Sequence, residues 1–348
     1  MNRTLLVLLI IFQIMFPEMQ FLYSAGQEKY EDPDRSRDSS ISSSVAGFVR
    51  SPVYFREIWG YLQNGDESSC DFSWPVSDIC YVGAGINIYG KLYGVPDRTK
   101  LDGYNGRVHL VVAEVMNRAL THFCLDPALP MRAELINAIA RAAVPFDGVQ
   151  IDFEQVPSSD RASFLSFLSE LSTAIGKRTL SVALPARTRK ITDAYDYRDI
   201  ARIVDRIIVM AYDEHWSGSN PGSIASLDWC RKIADFARQK IPSRKLIMGL
   251  PFYGRAWGET NPSKAYRFSS LSKLMEEKNI QDVKRIDSIP AFTYEETIRV
   301  HVFYEDAYSV AARAKMYRDD FVSNIAFWRI GQEDPLVWDC LRIGKTNN

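Results

Sequence analysis

Short apolar runs alternate with longer amphipathic ones from about Tyr54 to the end of the chain, and few folds accommodate that rhythm. "EIWGYL", "ICYVGAGINIYG", "RVHLVVAEV", "GVQIDFE", "TLSVALPA", "RIIVMAYDEHW", "KLIMGLPFYGRAW" and "VSNIAFWRIG" read as strands. Between them, "PMRAELINAIARAAV" carries Leu135, Ile139 and Ala142 at helical spacing. "SSDRASFLSFLSELSTAI", opened by the capping sequence "PSSD", sets Phe164, Leu165, Leu168 and Leu171 in one stripe. "YDYRDIARIVD", "LDWCRKIADFARQKI", "YSVAARAKMYRDD" and the short "PLVWDCL" are further helical patterns. About eight strand–helix units imply a parallel sheet with helices outside it. In 348 residues this favours an α/β fold of the closed (β/α)8 TIM-barrel type over an open doubly wound sheet, with the barrel over residues 51–345. The rhythm breaks between Trp257 and Asp306, where "SLSKLMEEKN" reads as a helix and "AFTYEET" and "RVHVFYED" as hairpin strands. That stretch, about residues 258–306, is expected to be a small α+β insertion after strand seven, at the end of the barrel where it can wall a cleft.

The formal net charge of -1 provides no basic field, which argues against a nucleic-acid partner. "MNR" followed by "LLVLLIIFQIMF" is a positive start and an apolar run short for a bilayer span, and Ser24, Ala25 and Gly26 supply a small-residue cleavage point. Residues 1–25 therefore read as a secretory signal, with an uncleaved anchor or a buried first helix as the other readings. Residues 26–50, containing "QEKYEDPDRSRDSSISSS", read as a flexible linker. A secreted or cell-envelope, extracytoplasmic location follows, with membrane contact only if the first segment stays attached. Cys70, Cys80, Cys124, Cys230 and Cys340 lack metal spacing. They permit a short-loop Cys70–Cys80 disulfide after export, or stand as small buried hydrophobes. His109, His122, His215 and His301 form no ligand-spaced pair, so no metal and no cofactor are expected. The expected state is a monomer.

Chemistry concentrates in "FDGVQIDFEQV", residues Phe146 to Val156. Val149, Ile151 and Phe153 are apolar, while Gln150, Asp152 and Glu154 are polar, the alternation of a strand whose two faces meet different surroundings. In a barrel the apolar set belongs under the helices and the polar set points inward, climbing toward the carboxyl end where barrel active sites lie. Branched apolar side chains normally fill that interior, so the ladder carries a cost. Either it joins an inward salt-bridge network, or it keeps one carboxyl protonated beside one charged, as acid catalysis requires.

These residues also carry a family resemblance. "DGVQIDFE" resembles the DGxDxDxE strand-four signature of glycoside hydrolase family 18, the chitinase-like family. "VMAYDEHW", "GLPFYGRAW" and "AFWRIGQED" resemble its strand-six, strand-seven and strand-eight motifs, in the same order, and "WGYL" and "GKL" fit its opening strands less distinctively. The resemblance spans roughly Tyr54 to Arg342 and implies a retaining, substrate-assisted mechanism, a known exception to two-carboxylate hydrolysis. It implies Glu154 as general acid and later base, and Asp152 as the carboxylate that orients the sugar's N-acetyl group and stabilises the resulting oxazolinium. Tyr212 would hydrogen-bond the acetamido oxygen, Asp213 and Met210 would line the same subsite, and Trp328 would be the floor under the reacting ring. Tyr253, Arg255 and Tyr61 are further lining candidates, and Asp147, which opens the motif, has a supporting role. Read alone, Tyr212 and Asp213 could simply end a strand, and Trp328 could be core. "GAGINIYG" lacks the GxGxxG spacing of a phosphate loop.

Gln150 departs from the family's middle Asp. Glutamine cannot titrate, so Asp152 has one fewer anionic neighbour and loses a proton-sharing partner. The cell-wall N-acetylglucosaminidase branch of the family carries Asn there, and "IDFEQVPSSDRASFLSFLSEL" is similar to that branch beyond the glutamate too. The implied partner is a GlcNAc-containing polysaccharide, peptidoglycan or chitin, with peptidoglycan favoured. The other functional class is a non-catalytic, lectin-like binder of GlcNAc glycans, against which the presence of Glu154 weighs.

Overall fold

The computed structural model describes residues 43–258, 263–295 and 299–344; the expected signal and most of the expected linker lie outside them. Eight parallel strands form the barrel: β1 (Glu57–Gln63), β2 (Asp78–Ile86), β3 (Arg107–Glu114), β4 (Gly148–Phe153), β5 (Thr179–Pro185), β6 (Arg206–Met210), β7 (Leu246–Pro251) and β8 (Asn324–Trp328). β1 pairs in parallel with both β2 and β8, which closes the ring as expected.

The alternation in β4 does what its period requires. Val149, Ile151 and Phe153 are fully buried beneath the helices, and the Phe153 ring meets Phe167 at 5.8 Å. Phe167 belongs to helix Arg161–Ile175, whose buried stripe is Phe164, Phe167, Leu168, Leu171 and Ile175; Leu165 packs at its edge. Each such side chain contributes about 1.5–3 kcal/mol on burial, so slipping β4 by one residue would forfeit several times that amount.

The inner faces of the strands form a separate apolar cluster of Trp59, Tyr61, Cys80, Val111, Ile208, Ile247 and Ala326, with Val82 and Trp328 against it. An inward ionic network does exist, but at the amino end of the barrel. There Asp78 accepts from Arg107 and lies 2.8 Å from His109 Nε2, while Glu57 accepts from Trp59 and Arg206. Neither Asp152 nor Glu154 takes part in it.

Three expectations need correction. Residues 43–50 form a helix rather than linker: Val45, Phe48 and Val49 pack inward, and Phe48 meets Tyr308 of helix Ala307–Asp319 edge-on at 5.9 Å. "RIIVMAYDEHW" is strand only to Met210, because the backbone turns at Asp213 with φ 60°. "KLIMGLPFYGRAW" is two strands. β7 stops at Pro251, and Gly254–Gly258 joins the insertion, which so begins at Gly254. The inserted strands form one antiparallel sheet beside helix Phe268–Glu277, around a core including Leu271, Phe292 and Val302. Of the two readings open for the cysteines, the structure takes the second: all five are free, Cys80, Cys124, Cys230 and Cys340 are buried, and Cys70 lies half-buried in the loop after β1.

Candidate active site at the carboxyl end of the barrel

The β4 ladder rises from dry interior to open mouth. At its base Gln150 is fully buried, and its Nε2 donates to Ser181 Oγ at 3.3 Å and Cys80 Sγ at 3.7 Å. Asp152, one layer up, is 8% exposed, and its Oδ1 has no hydrogen-bond partner among the described residues. Burial without such a partner disfavours the charged form and raises its pKa. Glu154 stands just past the end of β4, opening to solvent. The surrounding protein still displaces much of the water from its carboxyl, and the charges of Asp152 and Asp213 add to that effect. Its pKa is raised well above the usual glutamate range.

Two contacts hold Glu154 in place through the backbone. Its N–H donates to the Glu114 carbonyl at 3.0 Å. Tyr195 then clamps the chain on both sides: its hydroxyl donates to the Phe153 carbonyl and accepts from Val156 N–H, each at 2.8 Å. Nothing in "DAYDY" distinguished Tyr195 in the sequence, because its role arises only where the β5 loop folds back over the end of β4.

Tyr212 follows β6, and burial together with Asp152, Glu154 and Asp213 raises its hydroxyl pKa far up, so it stays a neutral donor. Its ring meets Tyr253 edge-on at 6.5 Å and fits because Gly249 has no side chain: a Cβ there would stand 3.0 Å from the Tyr212 ring. Tyr253 donates to Asp213 Oδ1 at 2.5 Å, and Arg255 Nη2 approaches the same oxygen at 3.6 Å while its Nη1 donates to Ser263. Met210 ends β6, half-buried. Trp328 ends β8, half-buried, with its ring 5.2 Å from that of Tyr61. The Tyr61 phenol lies deep among Cys80, Tyr212, Asp152 and Gln150.

The carboxyl end thus gathers Glu154, Asp152, Tyr212, Asp213, Met210, Tyr253, Arg255, Trp328 and Tyr61 around the ladder. Asp147 is elsewhere. It sits before β4, exposed at the amino end, where its Oδ2 accepts from Val108 N–H at 2.8 Å, so its support is to strand pairing. Trp216, on the same loop as Tyr212 and Asp213, was not singled out by its sequence; its indole is 56% exposed and its carbonyl accepts from Trp257 Nε1 at 3.3 Å. Among the described residues no group of three or more His, Cys, Asp or Glu side chains is arranged to hold a metal ion. What the site offers is a carboxyl open to solvent whose pKa is raised, a buried carboxyl with a free oxygen, a neutral phenol and an aromatic wall. That set suits protonation of a leaving oxygen beside a developing positive charge.

Comparison with known proteins agrees with this geometry. Residues 130–333, more than half of the chain, match the sequence profile of glycosyl hydrolases family 18. The chain is 30% identical to the uncharacterized glycosylase YvbX of Bacillus subtilis, over 57% of this chain and 61% of that protein. It is 28% identical to the cortical fragment-lytic enzyme of Bacillus anthracis, over 56% of this chain and 48% of the relative. The chain therefore spans about half to three-fifths of the length of these relatives. Its fold is similar to that of the Bacillus cereus spore cortex-lytic enzyme SleL, with a TM-score of 0.74 at 24% identity, covering 84% of this chain and 76% of that one. A chitinase from Chromobacterium violaceum superposes with a TM-score of 0.73 at 21% identity, over 82% and 97%. With its motifs in register and its carboxylates at the barrel mouth, this chain belongs to glycosyl hydrolases family 18.

Proposed function

We propose that this protein is an extracytoplasmic β-N-acetylglucosaminidase that cleaves a GlcNAc-containing polymer, peptidoglycan before chitin, with retention and substrate assistance. The observation that carries the reading is the inward pair on β4: buried Asp152 beneath solvent-facing Glu154, both with raised pKa. Glu154, protonated at neutral pH, donates to the glycosidic oxygen as the bond breaks. The substrate's acetamido oxygen, held by the Tyr212 hydroxyl, attacks the anomeric carbon from the other side. Asp152 orients the acetamido N–H and balances the positive oxazolinium, an interaction strong in so dry a position. Glu154, now a carboxylate, takes a proton from the water that opens the ring, which restores both groups. Trp328 floors the subsite. Peptidoglycan is favoured because relatives named as cortical fragment-lytic enzymes match this chain and because Gln150 replaces the acidic residue at the foot of the ladder. The apolar run near Met1 supports export, and among the described residues no helix is long and apolar enough to cross a membrane.

The deciding experiment is turnover of a chromogenic chitobioside by wild type and Glu154→Gln. Loss of at least about 100-fold in the variant is expected for removal of a general acid. Equal rates would refute the catalytic assignment, and tight glycan binding without hydrolysis by wild type would make the protein a lectin.

A further inference from the structure

The loop after β5, "ARTRKITD", places three cations on the active-site end of the barrel. It leaves β5 at Pro185, paired with Met210 of β6, and returns through Tyr195, whose hydroxyl clamps the chain around Glu154. The loop is therefore fastened at one end beside the β6 wall and at the other to the catalytic segment. Its charges are not equivalent. Arg187 is half-buried and ion-paired with Asp193, which makes it a brace for the loop. Thr188, Arg189 and Lys190 are all exposed. The Lys190 charge helps to lower the pKa of Asp196, and Arg189 has no hydrogen-bond or ion-pair partner among the described residues. A braced loop that holds out two cations at the same end of the barrel as a cleft walled by carboxylates is suited to an anionic substrate, since negative charge entering at that end otherwise meets Asp152 and Asp213.

We infer that Arg189 and Lys190 form a specificity element that selects carboxylate-bearing GlcNAc polymers over neutral ones; this rests on the glycosidase reading above. Chitin carries no charge for them to recognise. Peptidoglycan presents carboxylates in two forms, on the lactyl ether of its alternate sugar and on its peptide stems. The contact is exposed and screened, so it tunes selectivity and does not create activity.

The test compares wild type, the double variant Arg189→Ala/Lys190→Ala and the charge-preserving Arg189→Lys/Lys190→Arg. Each is assayed on chitooligosaccharides, on peptide-bearing glycan strands and on strands stripped of peptide by an amidase. The neutralised variant is expected to lose about five- to ten-fold in kcat/KM on anionic strands at low salt, less at high salt, with unchanged chitooligosaccharide turnover. The charge-preserving variant should behave as wild type. A loss on stripped strands assigns the sugar carboxylate, and a loss confined to peptide-bearing strands assigns the stem. Equal losses on neutral and anionic substrates, or none on either, overturn the inference while leaving the glycosidase reading intact. Wild type inert on every glycan would instead remove that reading and this one with it.

Discussion

Gln150 Nε2 lies 3.3 Å from Ser181 Oγ, directly across the β4–β5 pair, so the foot of the ladder is held by neutral hydrogen bonds and not by charge. Ser181 in turn donates to the Val149 carbonyl at 3.4 Å. Replacing Gln150 by Asp would put a third carboxylate two residues below Asp152 in a fully buried layer. A new anion disfavours ionisation of its neighbour. The acid limb of kcat/KM, which follows Asp152 becoming charged, is expected to move to higher pH in Gln150→Asp. A pH–rate profile superimposable on wild type would show that the foot of the ladder does not influence Asp152.

The same burial makes Asp152 a stability liability. Its folded pKa is raised above the unfolded value of about 3.9, so the folded state takes up a proton more readily. The corresponding stability is fully present below the unfolded pKa and is lost as pH rises through the folded one. Asp152→Asn removes the ionisation, and its Tm should exceed that of wild type by a few degrees, roughly, at neutral pH, with the gap closing near pH 4. A constant gap across that range would contradict the linkage. Activity should fall in the same variant, the usual exchange of stability for a strained site.

How much of this was legible in the sequence follows from what each signal reports. Alternation reports two environments, so the facing of Val149 and Asp152 could be read directly. It says nothing of where one sheet ends and another begins. "PFYGRAW" continues the apolar run of β7, which hid the start of the insertion at Gly254. Composition misled at residues 43–50, where a Ser-rich stretch conceals Val45, Phe48 and Val49, whose partners on helix Ala307–Asp319 lie more than 250 residues away in sequence. Tyr195 and Trp216 act through loops, and loop placement depends on closing the barrel rather than on local propensity.

Tyr195 is a positioning residue, and its removal should separate positioning from binding. Tyr195→Phe leaves the ring against Phe164, 6.1 Å away edge-on, but frees the Phe153 carbonyl and Val156 N–H. Both groups are buried, so a stability loss of about 1–3 kcal/mol is expected in denaturant unfolding. The loosened Glu154 should lower kcat by about ten-fold with little change in KM, since misplacement of an acid costs rate more than affinity. A variant that raises KM and spares kcat would place Tyr195 in substrate binding instead.

The Arg313–Glu305 pair should matter for the fold alone. Both are buried, and Arg313 donates from Nη2 to Glu305 at 3.0 Å and from Nε to the Ala225 carbonyl, also at 3.0 Å, which ties the end of the insertion to the end of the Tyr212 loop. Arg313→Ala strands a buried carboxylate and should cost about 3–5 kcal/mol, whereas Arg313→Met with Glu305→Leu should recover most of it. Failure of the double variant to recover would mean that the Ala225 carbonyl contact dominates.

Asp213 links the wall of the cleft to the acid that works in it. Its backbone lies at φ 60°, a region that Asn also tolerates, so Asp213→Asn should preserve the turn after β6. The substitution keeps an oxygen for the Tyr253 hydroxyl but removes a negative charge that helps to raise the Glu154 pKa. With that anion gone, Glu154 ionises more easily. The basic limb of the pH–rate profile should shift to lower pH, with turnover near the optimum reduced no more than about ten-fold. Tyr253→Phe leaves the charge in place and should not move the limb in the same direction. If both variants shift it alike, the hydrogen bond rather than the charge of Asp213 sets the acidity of Glu154.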